Sequence, residues 1–475
     1  MVVATKTVAS HPLYYWGEGG QYGPFDIQTD GEWAGWPDFG QVMRYFRKRV
    51  RPKLSAKAFG VLYGKAANNG SSIGERWILE MELENKVPAD MSKRKAIAQL
   101  LQIPPMLFGL AVLEEMKLDP HPQRPIATGQ TKLIRVPIDI GLYQNNVRTI
   151  WQLHDTGNAH SALGLLESDI RALARFEQQT KGDLCYHVQE ILFGYQLLAT
   201  HIVRDQRRFS SSYYHANEAV RVAKAMQDCD LIATALFTRG WTNMEWGLYG
   251  RTQQGIFQVQ QNKLEAAIRD FEEAKKVFPT QNGKENMHPQ LLGRLMTYKS
   301  RAQAALAVSK KRRVPASVLM MPDDAAELIG QQEIDDLYTR TLVTGTRSGF
   351  HEQAYLSNRS SIFAAANLPM QALQEINASE HLTEKIYRRD ETRQFTWLDI
   401  LKANIYMQFE EFGTATDYAR RAALACQDIN SVTNITIIND IYGRLLQSSY
   451  KTSKAVHELG DILEKSRTSI TKPEA

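Results

Sequence analysis

The side chains best suited to chemistry are cations, and they are gathered in one stretch of the chain. Residues 39–110 hold 13 lysines and arginines against five acidic residues, a net charge of +8, whereas the whole 475-residue chain carries +5. Lysine and arginine placed on phosphates release condensed counterions, so this concentration indicates a nucleic-acid-binding surface. A solvated face that binds nothing would have the same composition, and charge alone does not separate the two interpretations.

Catalytic motifs are absent from the sequence. It contains no Walker loop, nucleophile elbow, zincin histidine pair or kinase signature. The three cysteines, Cys185, Cys229 and Cys426, are odd in number and scattered, which supports neither a disulfide framework nor a zinc site. We therefore expect a protein that is not an enzyme and needs neither a metal nor a cofactor.

Four short amphipathic segments must position the cations. Their apolar periodicity predicts helices over residues 39–50, 55–67, 72–83 and 92–102. Ser55 and Ser92 stand where N-caps are expected, and Pro52, an Asn-Asn-Gly turn at 68–70 and Pro88 separate the segments. Four short helices with a turn between the second and third are what a helix-turn-helix domain requires.

The residues of this domain resemble a known family. Residues 77–88 and 94–104 are similar to the XRE (lambda-repressor/Cro-like) helix-turn-helix, whose third helix ends in an apolar residue and a glutamate, with a proline six residues later. Met81, Glu82 and Pro88 have this spacing. Two features differ from the family: the turn between the second and third helices is longer, and glutamate replaces a common glycine at position 84.

The resemblance implies that residues 72–83 form a recognition helix in the major groove of double-stranded DNA. Glu75, Arg76 and Trp77 occupy positions that reach base edges in the family. Arg76 suits guanine, because a guanidinium matches its O6 and N7 in a bidentate way. Glu75 either accepts from cytosine or stabilises the helix start. Trp77 either contacts a thymine methyl group or lies in the core.

Residues before and within the second helix are the expected phosphate contacts. The hydroxyl of Ser55 and the free amides at its helix start would meet a phosphate in the family. The side chains that would anchor the domain without specifying sequence are Arg44, Arg47, Lys48, Arg49, Arg51, Lys53, Ser55 and Lys57.

The domain has a distinctive segment on each side. Residues 1–38 form an arm rich in aromatic residues and glycine, with one lysine and five acids. We hypothesise that these acids dock on the basic domain as a mask. Residues 39–115 are assigned to the DNA-binding domain, 116–137 to a proline-rich linker, and 138–475 to a helical body.

The body contains a degenerate repeat. The tetratricopeptide unit places a small residue in its first helix and another about twelve positions later in its second, so that the helices approach closely. Five stretches match: Thr200 with Ser212, Ala216 and Ala219; Gly240, after an insertion, with Ala267, Phe271 and Ala274; Ser360 with Ala372, Ile376 and Ser379; Ala403 with Ala415, Ala419 and Ala422; and Gly443 with Ala455, Leu459 and Ile462. We expect an α-solenoid with a concave face, and room for further units between 240 and 360.

A helix-turn-helix head on a tetratricopeptide body resembles the peptide-sensing regulators of Gram-positive quorum systems. The resemblance implies a short peptide in the concave groove, held by asparagine side chains and, at a carboxylate, by arginine. Each candidate could equally be an ordinary surface or helix-end residue. The candidates are Arg239, Asn243, Asn358, Arg359, Asn404 and Asn439.

Together these patterns predict an all-α, cytoplasmic transcription regulator. It would bind double-stranded DNA through residues 39–110, sense a peptide or protein through its body, and dimerise through the body. No apolar run is long enough to span a membrane, and the first ten residues do not resemble a secretory signal. The alternative is a tetratricopeptide scaffold whose degenerate head contacts protein or RNA; an enzyme is the third possibility.

Overall fold

The chain is built almost entirely of helices, as the sequence predicted. The structure is a computed structural model that describes residues 14–17, 19–31, 33–67, 71–110, 134–135, 140–155, 162–250, 259–278, 280–281, 284–285, 287, 289–326, 352–386, 392–429 and 431–471. The chain divides into two compact units. The first comprises residues 1–143 and 173–188, and the second comprises residues 144–172 and 189–475. Residues 173–188, which the sequence assigned to the body, therefore belong to the first unit.

The first unit contains the four helices that the sequence predicted, together with parts of two later helices in residues 173–188. The four are α1 (Phe39–Arg49), α2 (Ala56–Ala67), α3 (Glu75–Leu83) and α4 (Met91–Leu101), followed by a 3₁₀ turn at Pro105–Phe108. A short antiparallel pair joins β1 (Tyr14–Tyr15) to β2 (Ile134–Arg135), so two residues of the predicted linker are paired with the arm. The rest of the predicted linker lies outside the described residues.

Local capping sets where these helices begin. Asp38 accepts from the backbone N–H of Gln41 at 2.8 Å and starts α1, and Ser55 Oγ accepts from the N–H of Ala58 at 3.0 Å as predicted. The prediction that Ser92 caps the fourth helix is wrong. The carboxylate of Asp90 accepts from the N–H of Ser92 at 2.7 Å, and α4 begins at Met91.

The segment that precedes α3 crosses closely over α2. Ile73 N–H donates to the carbonyl of Gly60 at 3.2 Å. A side chain at Gly64 would place its Cβ 2.1 Å from the carbonyl oxygen of Ser71, so only glycine fits there. Because residues 71–74 are used in this crossing, α3 starts at Glu75 and not at residue 72 as predicted.

The arm belongs to the core of the first unit. Trp16 and Phe25 are buried in one cluster with Phe39, Phe59 and other apolar residues of the four helices. The described acids of the arm, Asp26, Asp30 and Asp38, form no ion pair within the described residues. Asp26 bonds to Gln41, Asp30 to Thr29, and Asp38 caps α1. The masking hypothesis therefore has no support from these acids, and the arm is attached by aromatic packing.

The remaining helices follow in order. They are α5 (Ile140–Asp155), α6 (Leu163–Gln179), α7 (Gly182–Asp205), α8 (Phe209–Met226), α9 (Cys229–Tyr249), α10 (Gln261–Lys276), α11 (Pro289–Ser309), α12 (Ala316–Ala326), α13 (Glu352–Ala365), α14 (Pro369–Ile386), α15 (Thr392–Gln408), α16 (Phe412–Ile429), α17 (Val432–Leu445) and α18 (Lys454–Thr471). A two-residue hairpin joins β3 (Thr280–Gln281) to β4 (Lys284–Glu285). No helix among the described residues combines the length and apolarity needed to cross a bilayer.

In the second unit, neighbouring helices pack as pairs whose contacts contain small residues. Ser212 Oγ donates across one pair to the carbonyl of Thr200 at 3.0 Å, and Ser360 Oγ donates across another to the carbonyl of Ala372 at 2.8 Å. The same bond, from Ser300 to the carbonyl of Val318 at 2.6 Å, joins α11 to α12, a pair that the repeat pattern did not detect. Close helix approach therefore does occur at the predicted anchor positions Ser212 and Ser360.

Of the predicted anchors of the last pair, Leu459 is buried as expected, whereas the other three are not closely packed. A Cβ added at Gly443 would meet no atom within 4 Å, and Ala455 and Ile462 are only half-buried. The buried side chains of α18 are Val456, Leu459, Leu463 and Ser466. Whether the helix pairs are tetratricopeptide repeats stays a prediction.

Candidate nucleic-acid interface and ligand groove

The first turn of α3 presents the three predicted base-contact residues to solvent. Glu75, Arg76 and Trp77 are all exposed. The side chain of Arg76 is 93% accessible, and its Nε donates to Glu80 Oε1 at 2.9 Å. An exposed pair four residues apart on a helix is worth about 0.3–0.5 kcal/mol, so a DNA base can displace Glu80 at little cost.

Trp77 lies at the surface and not in the core. Its ring stacks on Tyr63, with centroids 6.1 Å apart and planes within 10°. With Ile73, Pro88 and Lys93 these rings line a surface pocket of about 410 Å³. Burial raises the pKa of Tyr63, with a smaller contribution from the charge of Asp90. The pocket is therefore lined by two aromatic rings and a lysine.

Seven of the eight predicted phosphate contacts are exposed at the surface. Six of the seven are Arg44, Lys48, Arg51, Lys53, Ser55 and Lys57. Arg49 is exposed as well, but its guanidinium stacks on Tyr45 at 3.7 Å and donates to Asp183 at 2.9 Å. The exposed set can reach a ligand without rearrangement.

Arg47 does not suit a phosphate contact, and this assignment is corrected. Arg47 is only 7% exposed. Its Nε and Nη2 donate to the two carboxylate oxygens of Glu82 at 2.5 and 2.7 Å, and its Nη1 donates to the carbonyl of Leu54 at 2.8 Å. The bonds to Glu82 raise the pKa of Arg47 despite its burial. The pair therefore fixes α1 against α3, and each of the three guanidinium nitrogens donates within the domain.

Asp183 is a contact of the first unit that the sequence analysis missed. Its carboxylate accepts from the hydroxyl of Tyr45 at 2.5 Å, from Arg49 at 2.9 Å and from the N–H of Gly23 at 3.2 Å. Burial first, and then the bond to Asp183, raises the pKa of Tyr45. The start of α7 is thereby tied to α1 and to the arm.

Two of the six groove candidates belong to a buried network. Arg239 donates to Asp270 at 2.6 Å and to Asn217 at 3.0 Å, and Asn243 donates to the other oxygen of Asp270 at 2.9 Å. Asn243 is 2% exposed and Asp270 is 6% exposed. Burial raises the pKa of Asp270, and the bonds to Arg239 oppose this increase. These residues join α9 to α10 and are not available to a ligand.

The other candidates also have partners, with one exception. Arg359 pairs with Asp323 at 3.0 Å. Asn404 and Asn439 each donate to the carbonyl four residues earlier in their own helix, at 3.2 and 2.9 Å. Asn358 is half-buried and makes no side-chain hydrogen bond to the described residues. The structure therefore does not gather the predicted candidates into one binding site.

A different group of side chains does come together in the second unit. We call His201, Arg204, Trp241, Glu245, Arg294 and Tyr298 the arginine–aromatic cluster. The guanidinium of Arg204 lies 3.5 Å from the centre of the Trp241 ring, and its Nη2 is 3.0 Å from His201 Nδ1. Trp241 Nε1 donates to Glu245 at 2.7 Å, and its ring meets that of Tyr298 at 5.3 Å.

The electrostatics of this cluster are dominated by burial and by arginine. Burial and the charge of Arg204 lower the pKa of His201, so its imidazole is neutral near pH 7. Burial raises the pKa of Tyr298, while the charges of Arg294, Arg301 and Arg204 act against that increase. The spacing of His201 and Arg204, and of Trp241 and Glu245, along single helix faces was the available sequence signal.

Among the residues described, no three histidine, cysteine, aspartate or glutamate side chains lie close enough together to hold a metal ion. Comparison with protein-family models gave no match. Comparison with the curated proteins gave none either. The case for function therefore depends on the geometry of this chain.

Proposed function

We propose that the chain is a sequence-specific DNA-binding transcription regulator. Its first unit would bind double-stranded DNA, and its body would sense a peptide or protein signal and mediate dimerisation. The observation that carries the proposal is the exposure of Glu75, Arg76 and Trp77 on the first turn of α3, in a domain of net charge +8. Such a protein would act in the cytoplasm.

Arg76 would supply base recognition. Its guanidinium is almost fully accessible, and its present partner is a half-buried carboxylate in a weak pair four residues away. A bidentate contact with guanine contributes about 1–3 kcal/mol of discrimination. Exposed cations such as Lys53 and Lys57 would contribute affinity but no sequence preference.

The second candidate is an interaction scaffold whose head binds protein or RNA. It is favoured by the remaining surface of α3, where Leu79 is 38% exposed and Leu83 is 67% exposed. Glu84, beside them, is unfavourable near phosphates. An apolar and acidic face of this kind suits a protein partner better than a DNA backbone.

Selection from a randomised duplex library by the full-length chain tests the proposal. We expect an enriched palindromic motif whose preference Arg76→Ala relaxes at one position of each half-site, and steep loss of affinity with salt. Arg171→Ala is the matched control, because Arg171 is also an exposed arginine paired with a glutamate four residues away. Absence of enrichment, with salt-insensitive capture of a protein, would support the scaffold instead.

A further inference from the structure

Arg204 is a buried cation with incomplete hydrogen bonding. The residue is 3% exposed. Its Nε and Nη1 make no hydrogen bond to the described part of the chain, and the nearest carboxylate oxygen, Glu245 Oε2, is 3.4 Å from Nε. An unsatisfied buried donor costs about 1–3 kcal/mol, and more when the group is charged. Arg204 therefore forms an ion pair with Glu245 but keeps N–H groups that no acceptor among the described residues satisfies.

The surroundings of Arg204 orient its guanidinium. One face lies on Trp241, and Nη2 is held by the neutral imidazole of His201. Glu245 Oε1 accepts from the indole N–H of Trp241 at 2.7 Å, and its Oε2 lies 3.4 Å from Arg204 Nε. Because stacking fixes the plane of the guanidinium, its remaining N–H groups point in defined directions along that plane.

The cluster combines a positive field with partial access to solvent. Arg204, Arg294 and Arg301 act on the hydroxyl of Tyr298, and Glu245 is the carboxylate that opposes them. Trp241 and Tyr298 keep part of their surface exposed. Positive groups in a site of low polarity attract an anion strongly.

We propose that the arginine–aromatic cluster binds the carboxylate of a peptide ligand, with Arg204 as its principal donor. A planar carboxylate matches the guanidinium edge, and the rings of Trp241 and Tyr298 suit an apolar side chain next to it. The single charge of a carboxylate is compatible with nearby Glu245, whereas a doubly charged phosphate would be repelled more strongly. This inference rests on the proposed role of the body as a peptide sensor.

The test starts with a pool of random N-acetylated hexapeptides that end in a free carboxylate, captured on immobilised full-length protein. Enriched sequences are resynthesised as the free acid and as the C-terminal amide, and their affinities are measured by fluorescence anisotropy. We expect the amide to bind about 10- to 100-fold more weakly, the usual cost of a lost charged hydrogen bond.

Substitutions test whether Arg204 causes the difference in affinity between the free acid and the amide. Arg204→Gln is expected to bring the ratio of free-acid affinity to amide affinity close to one. The control is Arg221→Gln, which replaces a partly exposed arginine on α8 and should leave this ratio unchanged. If circular dichroism shows that Arg204→Gln does not fold, Arg204→Lys is measured instead. Lysine keeps the positive charge but lacks the paired N–H groups of the guanidinium. An unchanged ratio in the folded Lys variant would overturn the assignment.

Three other outcomes would also overturn the proposal. They are the absence of any enriched peptide, equal binding of acid and amide, and displacement of the peptide by equimolar inorganic phosphate. The measurement uses no DNA, so it is independent of the operator selection. Success here with failure of that selection would remove the DNA-binding role and keep the ligand site.

Discussion

At the scale of single residues, Arg47 and Glu82 show how a functional interpretation depends on burial. Both belong to the basic stretch of residues 39–110, and by sequence alone Arg47 is indistinguishable from its exposed neighbours. In the fold both are buried, and two hydrogen bonds join their side chains. A buried pair of this kind is costly to break, because the partner left behind keeps an uncompensated charge.

We therefore predict that Arg47→Met destabilises the first unit by about 3–5 kcal/mol. The double variant Arg47→Met with Glu82→Leu should recover most of this loss, since neither charge then remains buried. Urea unfolding of the full chain, with hydrogen exchange of α1 and α3 to localise the effect, measures both changes.

The control for this prediction is the exposed pair. Arg76→Met removes the partner of Glu80, which stays in contact with water, and should change stability by less than about 0.5 kcal/mol. Equal losses for Arg47→Met and Arg76→Met would mean that burial of the first pair contributes nothing.

At the scale of elements, the helix pairs depend on a few positions where two helices touch closely. A Cβ added at Gly240 would lie 2.6 Å from the ring of Phe271, whereas one added at Gly443 would meet nothing within 4 Å. The sequence pattern gave these two glycines the same role. The structure assigns close packing to Gly240 only.

This contrast predicts opposite effects of one substitution. Gly240→Ala should destabilise the second unit by about 1–3 kcal/mol, because the added methyl group overpacks the contact with α10. Gly443→Ala should stabilise it by about 0.5–1 kcal/mol, because alanine is the better helix former. Thermal unfolding of both variants gives the comparison, and a loss of stability in Gly443→Ala would show that its helix face is packed after all.

The features that could be predicted from the sequence are those whose interacting residues lie close together along the chain. Apolar periodicity and caps are local, so α1 was predicted to within one residue and α4 to within one at either end. The start of α3 was missed because the crossing at Gly64 depends on α2. The bond between Tyr45 and Asp183 spans 138 positions, and nothing near either residue indicates it.

The candidate sites divide in the same way. Exposure of Arg76 follows from its place on a short amphipathic helix, so sequence could anticipate it. The partners of Arg239 and Asn243 come from α10, 27 to 31 positions away, and only the fold reveals that Asp270 occupies them. The arginine–aromatic cluster draws on α7, α9 and α11, so sequence spacing indicates the pairs within α7 and within α9 but not that the three helices bring them together.

At the scale of the whole molecule, the proposed function requires two separate binding activities in one chain. A regulator differs from a protein that merely carries two sites, because binding at one must change affinity at the other. Such coupling is reciprocal: the factor by which a ligand changes DNA affinity equals the factor by which DNA changes ligand affinity. Typical coupling is about 1–3 kcal/mol, or 5- to 150-fold.

We predict this reciprocity for the chain once an operator and a free-acid peptide have been selected. Anisotropy titrations of DNA with and without saturating peptide, and of peptide with and without saturating DNA, should give the same ratio. Arg204→Gln should leave DNA affinity unchanged in the absence of peptide. At the peptide concentration used, the ratio of DNA affinities with and without peptide should then be one. Arg76→Ala should weaken DNA binding and leave peptide affinity in the absence of DNA unchanged. A ratio of one in the native chain, with both ligands bound, would mean that the two sites are independent, and that the signal for transcription reaches the protein by another route.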